Sequence, residues 1–203
     1  MRKDLEKNIF EYLQKNLSPK RFEHSYNVAR FAVELAGIYG VDILKAQTAG
    51  LLHDCAKSKT DKQLISFFEN RKADFKYFNE MKKYSPKLLH SYAGAIIAKE
   101  KLGVTDKDIL NAVRNHTLGR QNMSLLEKII FVADGSVFDR KSKELSKIQK
   151  LAVKKIEKAF LKVMTKKIQY VLDKEEWLCP QVVDARNYYV STVSDVSEKR
   201  KNS

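Results

Sequence analysis

An all-α fold is what this 203-residue chain predicts, on three observations. Only 7 Gly and 3 Pro punctuate it, too few for the many tight turns of a β architecture. Hydrophobic residues make up 43% and charged residues 32%, a balance that suits amphipathic helices joined by short loops. Apolar side chains recur at spacings of three and four between helix-start signals, the period of a helix buried along one face.

The first helix is predicted over about residues 3–16, with Leu5, Ile9, Tyr12 and Leu13 on one face. Ser18-Pro19 supplies an N-cap and a first helical position. They open a helix to about Ala36 that turns Phe22, Val28, Ala32 and Leu35 inward and carries His24 near its start. After the stretch from Gly37 to Gly40, Asp42 caps a third helix. Its Ala46, Ala49, Leu51 and Leu52 suit close packing, and it delivers His53-Asp54 near its C-terminal end. Residues 58–86 are more polar, with aromatics at Phe67-Phe68, Phe75, Tyr77 and Phe78, and read as shorter helices over one side of the core.

Pro86 precedes a helix from about Lys87 to Lys101, closed by Gly103, with His90 in its first turn. Thr105 with Asp108 reads as a capping box for a helix to about His116. Ser124 with Glu127 is a stronger box, leading into the apolar run 128–134, so that Asp134 emerges late on a buried helix. From Lys143 to about Asp173 one long amphipathic helix is predicted, its stripe formed by Leu145, Ile148, Leu151, Ala152, Ile156, Ala159, Phe160, Val163 and Met164. Trp177, Leu178 and Val182-Val183 pack back on the body. The organisation expected is one unit over residues 1–192, with a core at about 18–140 and C-terminal helices at 143–192, followed by a basic flexible tail at 193–203.

Composition narrows the function classes. No segment reaches the roughly 20 apolar residues that cross a bilayer, and the N-terminus lacks the apolar stretch of a signal peptide. Cys55 and Cys179 are too few for a disulfide framework, so a reducing, cytoplasmic setting is expected without a membrane partner. The formal net charge of +14 invites a nucleic-acid reading. Lysines are spread along the whole chain, however, and no arginine-rich or aromatic-interleaved stripe stands out, which favours solvated helix faces over a nucleic-acid surface.

All four histidines fall in a spaced series with two aspartates: His24, His53-Asp54, His90, His116 and Asp134. Histidine is the commonest metal-binding side chain, and here none is spent elsewhere. If the series converges it holds one or two ions. Mixed imidazole and carboxylate donors favour iron, manganese or zinc over calcium. Adjacent His and Asp diverge by about 100° on a regular helix, so a helix end or a bridging ion is required at 53–54. A carboxylate buried at Asp134 asks for a cation or strong hydrogen bonds.

The order His, His-Asp, Asp on helices resembles the HD-domain metal-dependent phosphohydrolases, a superfamily of helical bundles. The segments 21–25, 49–57, 89–90, 114–120 and 123–134, with Asp184-Ala185-Arg186-Asn187, are similar to the bacterial YqeK family of symmetrical bis(5'-nucleosyl)-tetraphosphatases. The resemblance implies cleavage of diadenosine tetraphosphate into two ADP, with iron as the metal. It implies His24, His53, Asp54 and Asp134 as core ligands, and His90 and His116 as ligands of a second ion or as phosphate contacts. After Asp134 the chain departs from relatives, with Gly135-Ser136-Val137-Phe138-Asp139-Arg140.

A dinucleoside polyphosphate also needs cations around its phosphates. Lys57, three residues after Asp54, is the first candidate, for catalysis as well as binding; Arg114, Thr117, Arg120 and Arg140 follow as substrate contacts near the ligands in sequence. Asp54 is the candidate general acid for the leaving nucleotide if metal does not fully commit it, the alternative being that a bare diphosphate leaving group needs none. Cys55 reads as a small buried residue, and the aromatics of 67–78 as core rather than an adenine platform. Three rivals stay open: another HD-type nucleotide phosphohydrolase, a phosphodiesterase, and an RNA-binding module with a structural metal. Assembly as a homodimer is equally open.

Overall fold

The computed structural model describes residues 3–137 and 143–199, and among them it has eleven α-helices and no strand. They are α1 (Lys3–Asn16), α2 (Pro19–Tyr39), α3 (Ile43–Leu52), α4 (Asp61–Glu69), α5 (Phe78–Tyr84), α6 (Leu89–Glu100), α7 (Lys107–Asn115), α8 (Leu125–Ser136), α9 (Lys143–Lys154), α10 (Ile156–Asp173) and α11 (Pro180–Lys199).

Helix α8 is the axis of the bundle. Ile129, Ile130, Phe131, Val132 and Ala133 are all fully buried, which a helix that is apolar all round requires. Helices α2, α3, α7 and α10 pack around it. Two glycines permit the closest approaches. A Cβ at Gly50 would lie 2.6 Å from the Ala29 Cα, so α2 and α3 touch backbone to backbone, which brings His24 against His53. A Cβ at Gly135 would lie 2.2 Å from Val163 Cγ1, so α10 lies directly on α8.

Helix boundaries follow local chemistry. Ser18 and Asp42 cap α2 and α3 as their sequence positions predict, and Ser124 with Glu127 forms a complete capping box on α8. Helix α2 runs on to Tyr39, ending at the left-handed Gly40 (φ 69°). Helix α7 is capped by Asp106, not by Thr105: the carboxylate accepts from Asp108 N (2.9 Å) and Ile109 N (3.2 Å), the stronger partner for a positive helix start. A 3-10 turn, Pro86–Leu88, precedes α6.

The single helix predicted from 143 to 173 is two, broken at Lys155 (φ −151°, ψ 78°). The Tyr39 hydroxyl repairs the break, donating to the Ala152 carbonyl (2.6 Å) and accepting from Ile156 N (3.0 Å). Phe67, Phe68, Phe75 and Phe78 gather in one cluster, with Phe68 and Phe78 buried and Phe75 stacked on Tyr92 at 4.6 Å between centroids, while Tyr77 turns away and its hydroxyl donates to Asp184 Oδ2 (3.4 Å). Backbone helix continues through Lys199, so the tail predicted from residue 193 begins as helix; residues 200–203 lie outside the described part. No helix among the described residues is long and apolar enough to cross a membrane.

Candidate active site

Five elements deliver the six predicted ligands to one place. His24 comes from the second turn of α2, His53 from the C-cap of α3, Asp54 from the turn after it, His90 from the first turn of α6, His116 from the C-cap of α7 and Asp134 from late on α8. Because α3 stops at Leu52, His53 and Asp54 escape the divergence of a regular helix.

Three imidazoles are oriented alike. Nδ1 of His53 donates to the Gly50 carbonyl (2.7 Å), that of His90 to the Lys87 carbonyl (2.6 Å) and that of His116 to the Val113 carbonyl (2.7 Å). A carbonyl only accepts, so each Nδ1 carries the hydrogen, and a neutral ring then offers an Nε2 lone pair. The lone pairs converge. His90 Nε2 lies 3.2 Å from His116 Nε2, and the two lie 3.1 and 3.4 Å from Asp54 Oδ1. On the other side Asp134 Oδ1 lies 3.4 Å from His24 Nε2 and 3.6 Å from His53 Nε2.

The His90 and His116 lone pairs and Asp54 Oδ1, this close, repel unless a cation sits among them, whereas the His24–Asp134 contact is itself within hydrogen-bond reach. His53 Nε2 and Asp54 Oδ1 are buried and have no hydrogen-bond partner. Metal–ligand bonds of about 2.1 Å place neighbouring ligand atoms about 3.0–3.5 Å apart, close to the 3.1–3.6 Å observed. Two groups have metal-ligand spacing, His24 with His53 and Asp134, and His53 with Asp54 and His116. The residues therefore fit a metal centre, with His53 common to both groups.

Electrostatics agree with the geometry. Burial acts to raise the Asp54 carboxyl, yet His53 and Lys57 hold it well below the usual carboxylate range. Burial opposes Asp134 in the same way, and Lys167, His24 and His53 hold it low. Burial acts to lower His53, but Asp54 and Asp134 outweigh it and raise the imidazole, marking the negative charge that a bound cation would meet there. Burial pushes His116 down to about 4, and burial with Lys57 lowers His90, which keeps both rings neutral and able to act as ligands.

Two predicted substrate contacts stand at this cluster. Lys57 Nζ donates to His90 Nε2 (3.0 Å) and lies 3.6 Å from Asp54 Oδ1; Thr117 Oγ1 lies 3.0 Å from His116 Nε2 and 3.3 Å from His90 Nε2. Arg114 and Arg120 turn elsewhere. The Arg114 guanidinium stacks 4.9 Å above Tyr92, while Arg120 is held through Nε (2.8 Å) and a terminal nitrogen (2.7 Å) by the buried carboxylate of Glu127. Both line a separate cavity of about 460 Å³ with Lys76, Tyr77, Gln181 and Asp184, and none of the six candidate ligands lines it. Arg140 lies outside the described residues. Cys55 is buried, its thiol pushed up to about 12 by burial and then by Asp54, and it takes no part in the cluster.

Sequence reasoning missed Lys167 and Glu127. Lys167 Nζ on α10 donates to Asp134 Oδ2 (2.8 Å) and to the His116 carbonyl (2.9 Å). A signal was present, since Lys167 follows Val163 and Met164 by four and three residues and so interrupts the inward stripe of α10. Glu127 is 1% exposed and, beyond the capping bond from Ser124 N read from sequence, accepts from Asn115 and Arg120.

An all-α bundle that focuses imidazole and carboxylate lone pairs on one point defines a class of metal-site protein. The HD domain profile matches residues 21–136. The chain is 31% identical over 177 residues to the symmetrical bis(5'-nucleosyl)-tetraphosphatase of Halalkalibacterium halodurans, covering 87% of this chain and 92% of that one. It is 30% identical to the Bacillus subtilis protein of the same name, covering 88% and 94%. A crystal structure of an HD superfamily hydrolase from Clostridium acetobutylicum, described as involved in NAD metabolism, is 41% identical with a TM-score of 0.86 over 92% of this chain and 97% of that one. The chain belongs to the HD-domain family, in its YqeK-type branch.

Proposed function

We propose that this protein is a metal-dependent hydrolase that cleaves dinucleoside tetraphosphates symmetrically, diadenosine tetraphosphate giving two ADP. The observation that carries this reading is the convergence of Asp54 Oδ1, His90 Nε2 and His116 Nε2 within 3.1–3.4 Å, with Lys57 and Thr117 beside them. His24, His53, Asp54 and Asp134 would hold one ion, and His90 and His116 a second ion or a phosphate. Iron is the metal the family resemblance favours, and the mixed donors suit manganese or zinc as well. Bound there, such an ion acidifies water toward neutral pH and draws charge off phosphoryl oxygens.

The chain's own groups do the rest. Asp54, whose carboxyl His53 and Lys57 hold well below the usual carboxylate range, is placed to accept a proton from attacking water, a role opposite to the general acid expected from sequence. Water oxygen bonds to one inner phosphorus, and the central bridging oxygen leaves with the other ADP. A diphosphate leaves without a protein acid. The Lys57 ammonium and the Thr117 hydroxyl, both able to donate, face phosphoryl oxygens at the cluster. Arg114, whose planar cation is stacked and pre-oriented, serves the distal nucleotide from the neighbouring cavity, and Arg120 shapes the same wall through Glu127.

A chromatographic product assay with diadenosine tetraphosphate, run with and without chelator, tests the reading. Chelator-sensitive release of ADP alone is expected. ATP plus AMP would refute symmetrical cleavage, and salt-dependent RNA binding without turnover would favour the binding-module rival. NAD is the informative control, given the C. acetobutylicum neighbour: it joins two nucleosides by a diphosphate, so cleavage there would yield two monophosphates.

A further inference from the structure

We propose that Lys167 is a positioning residue for the metal centre, a lysine from outside the HD match that confines Asp134 to one metal-facing oxygen. Asp134 is a carboxylate with two distinct sides. Its Oδ1 faces His24 Nε2 (3.4 Å) and His53 Nε2 (3.6 Å), and its Oδ2 accepts from Lys167 Nζ (2.8 Å). The same ammonium donates to the carbonyl of His116 (2.9 Å), the residue at the end of α7, and lies 4.3 Å from the centroid of the Phe131 ring. One side chain thus ties together α7 and α8, which supply ligands from opposite sides of the cluster.

Packing leaves this lysine little alternative. Val163 and Lys167 lie one turn apart on α10, and the missing Cβ of Gly135 lets Val163 reach the α8 backbone; a Cβ there would also come within 3.5 Å of Lys167 Cε. Helix α10 spans Ile156–Asp173, beyond the 21–136 region of the HD match, so the C-terminal helices complete a site that the HD segment begins. With Oδ2 taken, Asp134 offers a single oxygen and leaves a coordination position free for water or phosphate.

Charge and positioning predict opposite signs, which makes the proposal testable. A lysine that acted only as a nearby positive charge would repel the ion, and its removal would tighten binding. A positioning lysine does the reverse.

The inference rests on the metal-centre reading, so the probe is Co²⁺ titrated into metal-stripped protein and followed by visible absorption, alongside the thermal midpoint of the stripped protein and turnover of diadenosine tetraphosphate. Lys167→Met should weaken Co²⁺ binding by roughly 10–100-fold and alter the visible band as Oδ2 becomes free to ligate. Lys167→Arg, which keeps donors on Oδ2, should restore part of both. Co²⁺ affinity and spectrum unchanged or tightened in Lys167→Met would overturn the proposal, as would a loss in Lys167→Met that only tracks a fall in thermal midpoint and that Lys167→Arg does not relieve. Wild-type protein that gives no Co²⁺ band would overturn the metal reading, and this inference with it.

Discussion

The two halves of the cluster are built differently. Around Asp54 the candidate ligands are sealed: His53, His90 and His116 are buried, His53 Nε2 and Asp54 Oδ1 have no hydrogen-bond partner, and the protein donors at the rim are the Lys57 ammonium, 3.0 Å from His90 Nε2, and the Thr117 hydroxyl, 3.0 Å from His116 Nε2. Around Asp134 the site opens, with the His24 and Asp134 side chains each 18% exposed, and a protein ammonium already sits on the carboxylate. A buried carboxylate oxygen and an imidazole nitrogen left without partners are costly, so an ion bound in the Asp54 half would stabilise it. The Asp134 half has the Lys167 ammonium on its carboxylate and is the more open to solvent.

His53 belongs to both halves, so removing it should break the comparison outright. His53→Ala is expected to lose metal and activity together, with kcat/KM down by more than about 100-fold, measured by metal analysis and turnover on the same preparation. Full activity in that variant would remove the site as drawn.

Lys57 sharpens the contrast. Its ammonium stands at the Asp54 half without replacing a ligand, so Lys57→Ala should lower kcat by roughly 10-fold with metal content unchanged. Metal loss in step with activity would instead make Lys57 part of the ligand support.

Acid separates the halves more gently. In the unfolded chain His90 and His116 titrate near the ordinary imidazole value, and in the fold both are lowered, His116 to about 4. The unfolded state therefore binds more protons between these values. The stability they contribute is present above about pH 6.5 and is lost as pH falls toward 4. His53 is shifted upward and opposes them, one ring against two. The thermal midpoint of the metal-stripped protein should fall by several degrees across this window, and His116→Gln should flatten the slope.

Much of this was legible in the sequence because it rests on local chemistry. Caps at Ser18, Asp42 and Ser124 announce helices through hydrogen bonds made within four residues, and four histidines with no other employment announce a shared task. What was not legible depends on partners far along the chain. The break at Lys155 is stabilised by a phenol 117 residues before Ile156. Lys167 looks like one more lysine until Gly135 brings α10 onto α8, and Arg120 looks like a phosphate clamp until Glu127, buried one turn into α8, claims it. Spacing reveals which residues share a helix face, and only packing reveals which faces meet.

A catalytic ion held by the converging lone pairs would be needed for turnover. The most direct measurement is metal content and diadenosine tetraphosphate turnover on one sample, before chelation, after it, and after adding iron, manganese or zinc back. At least one ion per chain, loss of ADP formation with loss of the ion, and recovery on reloading are expected. Undiminished turnover by protein shown to be metal-free would contradict that requirement.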